Sequence, residues 1–316
     1  MKKLRAGVIG VGYLGQFHAE KYASLPLVEL VGVVDADPAR ATQIAQKLKT
    51  SSFSMPEDLL DRVDVVSIVV PTILHHRVAK QFLEQGVHVL LEKPITVTLE
   101  QADELIKLAQ NNNCVFQIGH IERFNPALTV VKPLLRSPRY ITAERAAPFT
   151  VRCTDVNVVL DLMIHDLDIV MDLANDEVRA VSSAGASVIT KEIDIASARI
   201  LFARGCVADV VASRVSADKK RILRVFDDRS IYTADFQTQR AQRSLRKDSA
   251  ALELATEDIL TERRDTLLDE IRAFISCVEH KTRPLVSGIE GKRALALAQI
   301  ITRNIEQGIS GFVPTG

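Results

Sequence analysis

The sequence predicts an α/β protein with an N-terminal Rossmann domain, a doubly wound parallel sheet, and a C-terminal α+β domain with an open, mostly antiparallel sheet. The chain has 316 residues, enough for two hydrophobic cores. Its first 120 residues alternate short apolar runs with amphipathic stretches, which is typical of β-α-β units. After Gly119, strand-like runs follow one another with few helices between them. We therefore expect one domain over residues 1–121 and a second over residues 122–316.

The first domain is predicted from alternating strands and helices. Thr98 and Gln101 stand as the residues of an N-terminal capping box do, which favours a helix start between them. Runs rich in β-branched residues predict parallel strands covered on both faces, at Arg5–Ile9, Val28–Val34, Val63–Val70, Val87–Leu91 and Val115–Ile118. Amphipathic stretches between these runs predict helices, at Leu14–Ser24, Ala39–Leu48, His76–Gln85 and Leu99–Gln110.

The second domain is predicted from consecutive strands with one helix among them, near Leu160–Leu173. Two amphipathic helices, Leu267–Glu279 and Gly291–Glu306, follow near the end of the chain, and the polar stretch Gln237–Ser249 predicts an exposed hairpin or loop. The predicted strands are Tyr140–Ala146, Val178–Val188, Ile195–Phe202, Val207–Ser213, Ile222–Phe226 and Ile231–Thr233.

Charge and cysteine content narrow the class of protein. Lys plus Arg and Asp plus Glu are balanced at 40 each, so no bulk charge favours nucleic acid or an anionic membrane as a partner. No apolar run reaches the roughly 18 residues that a membrane span needs. The basic start resembles a first strand more than a signal peptide. The four cysteines, Cys114, Cys153, Cys206 and Cys277, are far apart and predict small buried residues in a reducing cytoplasm.

A glycine-rich turn follows the first predicted strand. Gly10-Val11-Gly12-Tyr13-Leu14-Gly15 is a GxGxxG pattern that opens the first helix, whose N-terminal N–H groups can bind phosphates. Asp35 ends the second strand about 20 residues later, where an acid binds ribose hydroxyls and repels a 2′-phosphate. NAD is therefore favoured over NADP, although Arg40 is near enough in sequence to weaken that preference. The alternative is a glycine turn with an ordinary surface aspartate, but the order of all these elements favours a dinucleotide site.

Two further segments stand where parallel strands end, the edge at which such sheets bind ligands. Pro71-Thr72-Ile73-Leu74-His75 comes directly after one strand, and Glu92-Lys93-Pro94 directly after the next. A lysine at that edge can hydrogen-bond a substrate hydroxyl and stabilise charge on its oxygen as hydride leaves. The alternative is a surface lysine before a proline that starts a helix.

Asp161 and His165 form a second candidate group. On a helix they are four residues apart and share one face, so the carboxylate can orient the imidazole as a proton acceptor near neutral pH. Two alternatives stay open. The pair can cap a helix, or it can bind a metal with Asp166 and Asp168, although the sequence offers no obvious further ligand of a suitable type.

Together these segments resemble the Gfo/Idh/MocA family, the group of glucose–fructose oxidoreductase and inositol dehydrogenase. The resemblance covers nearly the whole chain, and the Glu-Lys-Pro segment with the distant Asp-x-x-x-His pair is its most specific part. The matching positions are Gly10, Gly12 and Gly15, Asp35, Pro71–His75, Glu92–Pro94, Asp161 with His165, and Pro284–Gly288.

The resemblance implies a role for each matched position. Lys93 would contact the nicotinamide ribose and the substrate, His165 would be the acid/base, and Asp161 would assist it. The second domain would bind substrate and mediate homodimers or homotetramers, and the peptide before Pro94 would be cis. The residues implied to bind NAD are Gly10, Gly12, Tyr13, Leu14, Gly15, Asp35, Pro71, Thr72, His75, Glu92, Lys93 and His120.

The segment Gly119–Pro126 is similar to members of the family that oxidise nucleotide-activated amino sugars, the UDP-N-acetylglucosamine 3-dehydrogenases. That resemblance places His120 beside the nicotinamide and Arg123 and Asn125 along the sugar site, with Lys93 and His165 as further substrate contacts. A diphosphate also needs basic residues. Arg123, Arg145, Arg152 and Arg214 are candidates that the sequence does not separate. The alternative is an inter-domain turn in which Asn125-Pro126 starts a helix.

The predicted reaction is reversible oxidation of a secondary sugar hydroxyl by NAD in the cytoplasm, without a metal. His165 takes the hydroxyl proton, Lys93 holds the oxygen, and the supply of 3-amino sugars for lipopolysaccharide is one use of the product. The alternatives are the same chemistry on inositol, a free aldose or an imine, a non-catalytic NAD-binding regulator, and a structural subunit. Because Lys93 and His165 are both present, an enzyme is favoured.

Overall fold

A computed structural model describes residues 3–150, 156–247, 253–309, 311 and 313–314, and the chain forms two compact units. The first unit comprises Met1–Ile121 and Asp265–Arg293, and the second comprises Glu122–Arg264 and Ala294–Gly316. Asp265–Arg293 thus groups with the residues before 122, although the sequence suggested a single second domain over residues 122–316. The roles of the two domains stay a prediction.

The first unit contains a parallel sheet whose strand order is that of a doubly wound fold. The chain runs from the centre to one edge (β1, β2, β3), returns, and then runs to the other edge (β4, β5, β6), so the order across the sheet is β3-β2-β1-β4-β5-β6. Ligands bind such sheets where the order reverses, here beyond the carboxyl ends of β1 and β4. The strands are β1 Leu4–Ile9, β2 Val28–Val34, β3 Ser51–Phe53, β4 Val65–Ile68, β5 His88–Glu92 and β6 Phe116–Gly119.

The first unit contains helices that connect its strands along the chain and one helix, from later in the sequence, that packs in the same core; helices are numbered in chain order. The predicted capping box is confirmed, since the Thr98 hydroxyl accepts from the main-chain N–H of Gln101 and the Gln101 side chain accepts from that of Thr98. One predicted helix start is wrong, because α3 begins at Thr72 rather than at His76, with Pro71 in the N-cap position, where its missing N–H costs no helical hydrogen bond. The helices are α1 Gly15–Ser24, α2 Pro38–Leu48, α3 Thr72–Glu84, α4 Leu99–Asn111 and α7 Thr266–His280.

The strand β3 was missed because Ser51–Phe53 is short and largely polar, and its position at the sheet edge needs no apolar run. The return of α7 to the first unit was also missed. Its apolar stripe, which includes Ile271 and Phe274, is buried in the same core as Ala6 and Val8 of β1. Amphipathic periodicity identifies such a stripe but does not say which of two cores will bury it.

The second unit contains a nine-stranded sheet among the described residues, in the order β14-β13-β12-β11-β7-β10-β9-β8-β15. Every neighbouring pair is antiparallel except β7 with β10, which confirms the mostly antiparallel prediction. The strands are β7 Tyr140–Ala146, β8 Val178–Ala186, β9 Ile195–Phe202, β10 Val207–Ser213, β11 Lys220–Phe226, β12 Ser230–Asp235, β13 Arg240–Arg246, β14 Leu254–Ile259 and β15 Val313–Pro314.

The sheet of the second unit is covered on one face. Alternate residues of β9, such as Ala198 and Ile200, are buried against the helices α5 (Pro126–Val131) and α6 (Ile164–Ala174), while their neighbours are exposed. The helix α8 (Gly288–Glu306) begins in the first unit and ends in the second. Within the polar stretch Gln237–Ser249, Arg240–Arg246 forms β13 in a hairpin with β12, so the hairpin alternative is correct for these residues. Ser249 lies outside the described residues.

No helix in the described part of the chain is long and apolar enough to cross a membrane. Cys114, Cys206 and Cys277 are free thiols, and burial raises the pKa of Cys114 and of Cys206 to about 11, so both stay protonated near neutral pH. Cys153 lies outside the described residues.

Candidate functional site

The glycine-rich turn of the first unit fits a dinucleotide. A Cβ on Gly10 would lie 2.4 Å from the carbonyl oxygen of Val69, and a Cβ on Gly15 would lie 1.8 Å from that of Gly10. A Cβ on Gly12 would meet nothing within 4 Å. The first and third glycines are therefore required by packing, and the second faces open space at the N-terminus of α1, where backbone can approach a pyrophosphate. Tyr13 and Leu14, also predicted to bind the cofactor, are exposed in the same turn.

Asp35 joins the end of β2 to this turn. Its carboxylate accepts hydrogen bonds from the main-chain N–H groups of Val11 (2.8 Å) and Asp37 (2.9 Å), and the side chain is largely buried. The Arg40 guanidinium lies 3.3 Å from the same carboxylate. Arg40 thus offsets part of the negative charge that would repel a 2′-phosphate, as its place in the sequence suggested. Binding of the ribose by Asp35 stays a prediction.

His75 connects the two loops that the sequence singled out. Its Nδ1 lies 2.8 Å from the carbonyl oxygen of Pro94, and its Nε2 lies 2.9 Å from that of Val70. Burial lowers the pKa of His75, while the two carbonyl groups and the charge of Glu92 oppose that effect. The ring is only 1% exposed, so its described contacts position the Glu92–Pro94 segment from within the unit. Pro71 and Thr72 are more exposed at the start of α3.

Lys93 lies directly after β5, at the carboxyl edge of the parallel sheet. Its main-chain N–H donates to the Glu92 carboxylate at 3.2 Å, and the peptide bond to Pro94 is cis, as the family resemblance implied. Its side chain is half-buried. The glycine turn, the start of α3 and Lys93 therefore follow three strands that end at one edge of one sheet.

His120, Arg123 and Asn125 follow β6. His120 is 1% exposed. Arg123 is buried, and its guanidinium lies 3.4 Å from the carboxylate of Asp168 and 2.8 Å from that of Asp172. Because these contacts lie inside the second unit, a role for Arg123 beside a sugar stays a prediction.

Asn125 is the N-terminal cap of α5. Its side-chain oxygen accepts from the Ala127 N–H at 3.1 Å, and its amide nitrogen donates to the carbonyl of Phe236 at 3.0 Å. The helix that the Asn-Pro alternative predicted is confirmed at Pro126. The place of Asn125 beside a sugar likewise stays a prediction.

A buried ion cluster that sequence reasoning missed surrounds Arg145. We define the ion cluster as Glu122, Arg145, Asp166 and Arg221. Arg145 donates to both carboxylate oxygens of Asp166 (2.8 and 2.9 Å) and to Glu122 (2.9 Å), and Arg221 also donates to Glu122 (3.1 Å). Burial acts to lower the pKa of Arg145, but the two carboxylates outweigh it and raise the pKa, so the cation persists.

The contacts above pair two acids of the metal alternative with two of the arginines that were candidates for binding a diphosphate. Asp166 is paired with Arg145 and Asp168 with Arg123, and the described residues include no group of three or more side chains that could hold a metal. Arg214 is buried and donates to the carbonyls of Val156 and Ile193. Arg152 lies outside the described residues.

The segment of Asp161 and His165 is helical but not uniformly α-helical. Val159–Met163 forms a π-helical turn that contains Asp161, and α6 with His165 follows it. The side chain of Asn157, rather than that of Asp161, accepts from the Leu160 N–H (3.0 Å) at the helix start, so the capping alternative is not needed to explain Asp161. Both Asp161 and His165 are half-buried, and π-helical turns are frequent at functional sites. Their shared role stays a prediction.

Comparison with known families matches both parts of the chain. Residues 4–120 match the Gfo/Idh/MocA group described as an oxidoreductase family with an NAD-binding Rossmann fold. Residues 152–310 match the C-terminal alpha/beta domain of the same oxidoreductase family. The NAD cofactor and the oxidoreductase class predicted from the sequence are thereby confirmed.

Individual relatives cover nearly the full length. The UDP-N-acetylglucosamine 3-dehydrogenase of Acidithiobacillus ferrooxidans is 38% identical over 94% of this chain and 96% of its own. A solved structure of that enzyme covers 97% of this chain and 99% of its own, with a TM-score of 0.93. The NAD-dependent scyllo-inositol 2-dehydrogenase of Bacillus subtilis is 27% identical over 97% of this chain and 95% of its own. Levoglucosan dehydrogenase with NADH, 18% identical over the full length of both chains, shares the fold with a TM-score of 0.89.

Proposed function

The chain belongs to the Gfo/Idh/MocA oxidoreductase family, and on that premise we propose that it oxidises the 3-hydroxyl of a UDP-N-acetylhexosamine with NAD. The observation that carries the substrate proposal is the 38% identity, over nearly the whole of both chains, to an enzyme named for that reaction. The octapeptide Gly119–Pro126 supports it from the sequence itself.

The residues that would hold NAD belong to the first unit. Gly12 leaves open space at the N-terminus of α1, and Asp35 presents a carboxylate at the end of β2. When bound, NAD supplies a hydride acceptor at C4 of its nicotinamide ring. Lys93, at the end of β5, would contact the nicotinamide ribose and the reacting hydroxyl.

We propose that proton transfer is carried by His165. Its imidazole would take the proton of the sugar hydroxyl as the carbon–hydrogen bond breaks, and Asp161 would favour the protonated ring that results. The Lys93 ammonium would hold the hydroxyl oxygen and stabilise the charge that develops on it. This division of roles is supported by the family resemblance of the two segments, both of which are retained in this chain.

The proposal is tested by NADH formation with a panel of substrates. UDP-N-acetylglucosamine should give turnover, whereas free N-acetylglucosamine, glucose and myo-inositol should give little, because they lack the nucleotide diphosphate. The His165→Asn variant should bind NADH and lose turnover by roughly a hundredfold or more if His165 is the general base. Turnover with myo-inositol in place of the UDP-sugar would transfer the substrate proposal to the inositol class, which the relative from Bacillus subtilis represents.

We further propose a cytoplasmic homodimer or homotetramer whose product, a 3-keto amino sugar, is consumed by an enzyme that adds an amino group at C3 for lipopolysaccharide. The open face of the sheet in the second unit supports oligomerisation, because alternate residues of β9 and β10 are exposed there, Ile195 and Val211 among them. Light scattering on the purified protein measures the oligomeric state directly.

A further inference from the structure

A chain of polar side chains is buried beneath the carboxyl edge of the first sheet. The Tyr22 hydroxyl lies 2.9 Å from the Ser67 hydroxyl, and that hydroxyl lies 3.1 Å from Nδ1 of His18. On the other side of the ring, Nε2 of His18 lies 3.3 Å from a carboxylate oxygen of Glu92. Tyr22, His18 and Ser67 are all 0% exposed. Burying such a series of polar groups costs free energy unless each group forms hydrogen bonds with its neighbours.

One arrangement of protons satisfies the hydrogen bonds from Tyr22 to His18. Tyr22 donates to Ser67, Ser67 donates to Nδ1 of His18, and Nε2 then carries the ring proton, 3.3 Å from Glu92 but without a hydrogen bond to it. Burial raises the pKa of Tyr22, so its hydroxyl keeps the proton that this order requires. The series therefore places the N–H dipole of His18 close to Glu92, and a nearby positive end of a dipole favours a carboxylate charge at that position.

Glu92 is held from a second direction as well. Its other carboxylate oxygen accepts from the main-chain N–H of Lys93 at 3.2 Å. Gly119 of β6 makes room for the group, because a Cβ there would lie 2.9 Å from the Glu92 carboxylate. The Glu92 side chain is thus held in place by contacts with α1, with β6 and with the main chain of Lys93.

Glu270 of α7 introduces a second acid into this region. It is 0% exposed, and among the described residues neither of its carboxyl oxygens has a hydrogen-bond partner. Burial raises the pKa of Glu270 well above its ordinary value, and the charge of Glu92 raises it further. Because Glu270 is fully buried, has no hydrogen-bond partner among the described residues and feels the charge of Glu92, we expect Glu270 to keep its proton near neutral pH.

We propose that Glu270 is a positioning residue for Lys93: it stays protonated near Glu92, so that the two acids carry one negative charge, located on Glu92, which accepts the Lys93 N–H. We call Glu92 and Glu270 the acid pair. The inference rests on the proposed NAD-dependent function, in which Lys93 contacts cofactor and substrate. The inference concerns one proton, which Glu270 retains near neutral pH and loses to solvent when the medium becomes alkaline.

Loss of that proton should disturb Lys93. The second buried charge would repel Glu92 from its place between His18 and the Lys93 N–H, and NADH binding should weaken. The other titratable or charged side chains near the acid pair are those of His18 and Tyr22 of α1, His75 of α3 and Lys93 itself, and all four are the same in the wild type and in a Glu270 variant. A comparison of variants across pH therefore isolates Glu270.

The test measures NADH affinity by fluorescence in the full-length protein, without sugar, from about pH 6 to about pH 9.5. In the wild type, the dissociation constant should rise roughly fivefold or more toward the alkaline end, while Glu270→Gln should remove that rise. The matched control is Glu279→Gln, an exposed acid on the same helix, which should follow the wild type. Parallel curves for all three proteins, rising or flat, would overturn the inference.

A second measurement keeps the inference testable if Glu270→Gln does not fold. Infrared spectroscopy of the wild type at neutral pH should show the carbonyl stretch of a buried protonated carboxyl, which disappears at alkaline pH. In Glu92→Gln the same band should disappear at a lower pH, because the neighbouring charge has been removed. The inference fails if no such band exists at neutral pH, or if Glu92→Gln leaves its titration where it was.

These readouts separate the inference from the proposed function. NADH binding and the infrared band require no sugar. A protein that shows both pH signatures and oxidises no sugar contradicts the proposed function alone. A protein that oxidises UDP-N-acetylglucosamine, but whose NADH affinity depends on pH as in Glu270→Gln, contradicts the inference alone.

Discussion

The acid pair of the first unit and the ion cluster of the second bury comparable groups in opposite ways. In the ion cluster each carboxylate has an arginine, and Arg145 alone bridges Glu122 and Asp166. In the acid pair, Glu92 faces a histidine and a second acid, and Glu270 has no cationic partner among the described residues. In the ion cluster opposite charges compensate one another, whereas Glu270 has no opposite charge beside it, so we expect the charge of the acid pair to depend on pH.

This difference explains why burial alone does not mark a functional residue. Arg123, Arg145 and Arg214 are all buried arginines, and their contacts stabilise the second unit from within. Glu270 is also buried, yet nothing described neutralises it, and it lies near the strand end that carries Lys93. An uncompensated buried group costs folding free energy, and its place beside the segment for which we propose an active-site role is consistent with a function for Glu270.

The largest expected effect comes from breaking the ion cluster. Arg145→Met should lower the free energy of unfolding by about 3–5 kcal/mol, because Glu122 and Asp166 would lose their buried partner. Urea denaturation followed by circular dichroism measures it. The matched control is Arg221→Met, since Arg221 also binds Glu122 but is 37% exposed and should cost less than about 1 kcal/mol. Equal losses in the two variants would show that the cluster is not a buried unit.

The acid pair should respond in the opposite direction when the titratable group of Glu270 is removed. The pKa of Glu270 is raised in the folded state, so its contribution to stability is present below the ordinary glutamate pKa and is lost as pH rises toward the folded value. Glu270→Gln lacks this loss. Its stability relative to the wild type should therefore grow by up to about 1.4 kcal/mol for each pH unit above roughly 4.5.

Thermal or urea unfolding at about pH 5 and about pH 7 checks this prediction. The exposed Glu279→Gln variant of the same helix should show no comparable change with pH relative to the wild type between the same two conditions, because its side chain is in contact with solvent in the folded protein. A constant difference between Glu270→Gln and the wild type would mean that Glu270 ionises normally in the folded protein.

Variants of the glycine turn test whether the first unit leaves space there for the pyrophosphate of NAD. Gly12→Ala should fold normally, because its Cβ would meet no protein atom within 4 Å, but should weaken NADH binding roughly tenfold by crowding the pyrophosphate. Gly15→Ala should instead destabilise the fold, since its Cβ would lie 1.8 Å from a carbonyl oxygen. Melting temperature and NADH titration of the two variants, measured together, check the pair. An unchanged NADH affinity in Gly12→Ala would place the phosphates elsewhere.

Much of the fold could be predicted because it depends on patterns among residues that are close in sequence. The strands β2, β7, β9 and β10 have the predicted ends, and the capping box at Thr98 starts α4 where expected. The GxGxxG turn and the Glu-Lys-Pro segment were also found locally, since each depends on residues adjacent in sequence. By contrast, the packing of α7 in the first unit depends on a partner far away in the chain, which periodicity cannot identify.

The buried polar contacts were missed for the same reason. The ion pairs of Arg123 and Arg145 join residues far apart in sequence, so neither arginine could be told from a candidate phosphate ligand. The burial of Glu270, by contrast, could have been predicted from its position in the sequence. It stands three residues after Leu267 and four before Phe274, on the apolar stripe of an amphipathic helix, where an acid is out of place. An acid on such a stripe predicts a buried carboxyl group that either has a cationic partner or keeps its proton.

The proposed reaction itself is tested most directly by following the hydrogen on C3 of the sugar. The protein is incubated with NAD and UDP-N-acetylglucosamine that carries deuterium at C3, and the cofactor is analysed by mass spectrometry and NMR. We predict that deuterium appears at C4 of the nicotinamide as NADH forms and that the sugar loses it. NADH formed without deuterium, or a sugar that keeps its label, would contradict oxidation at C3.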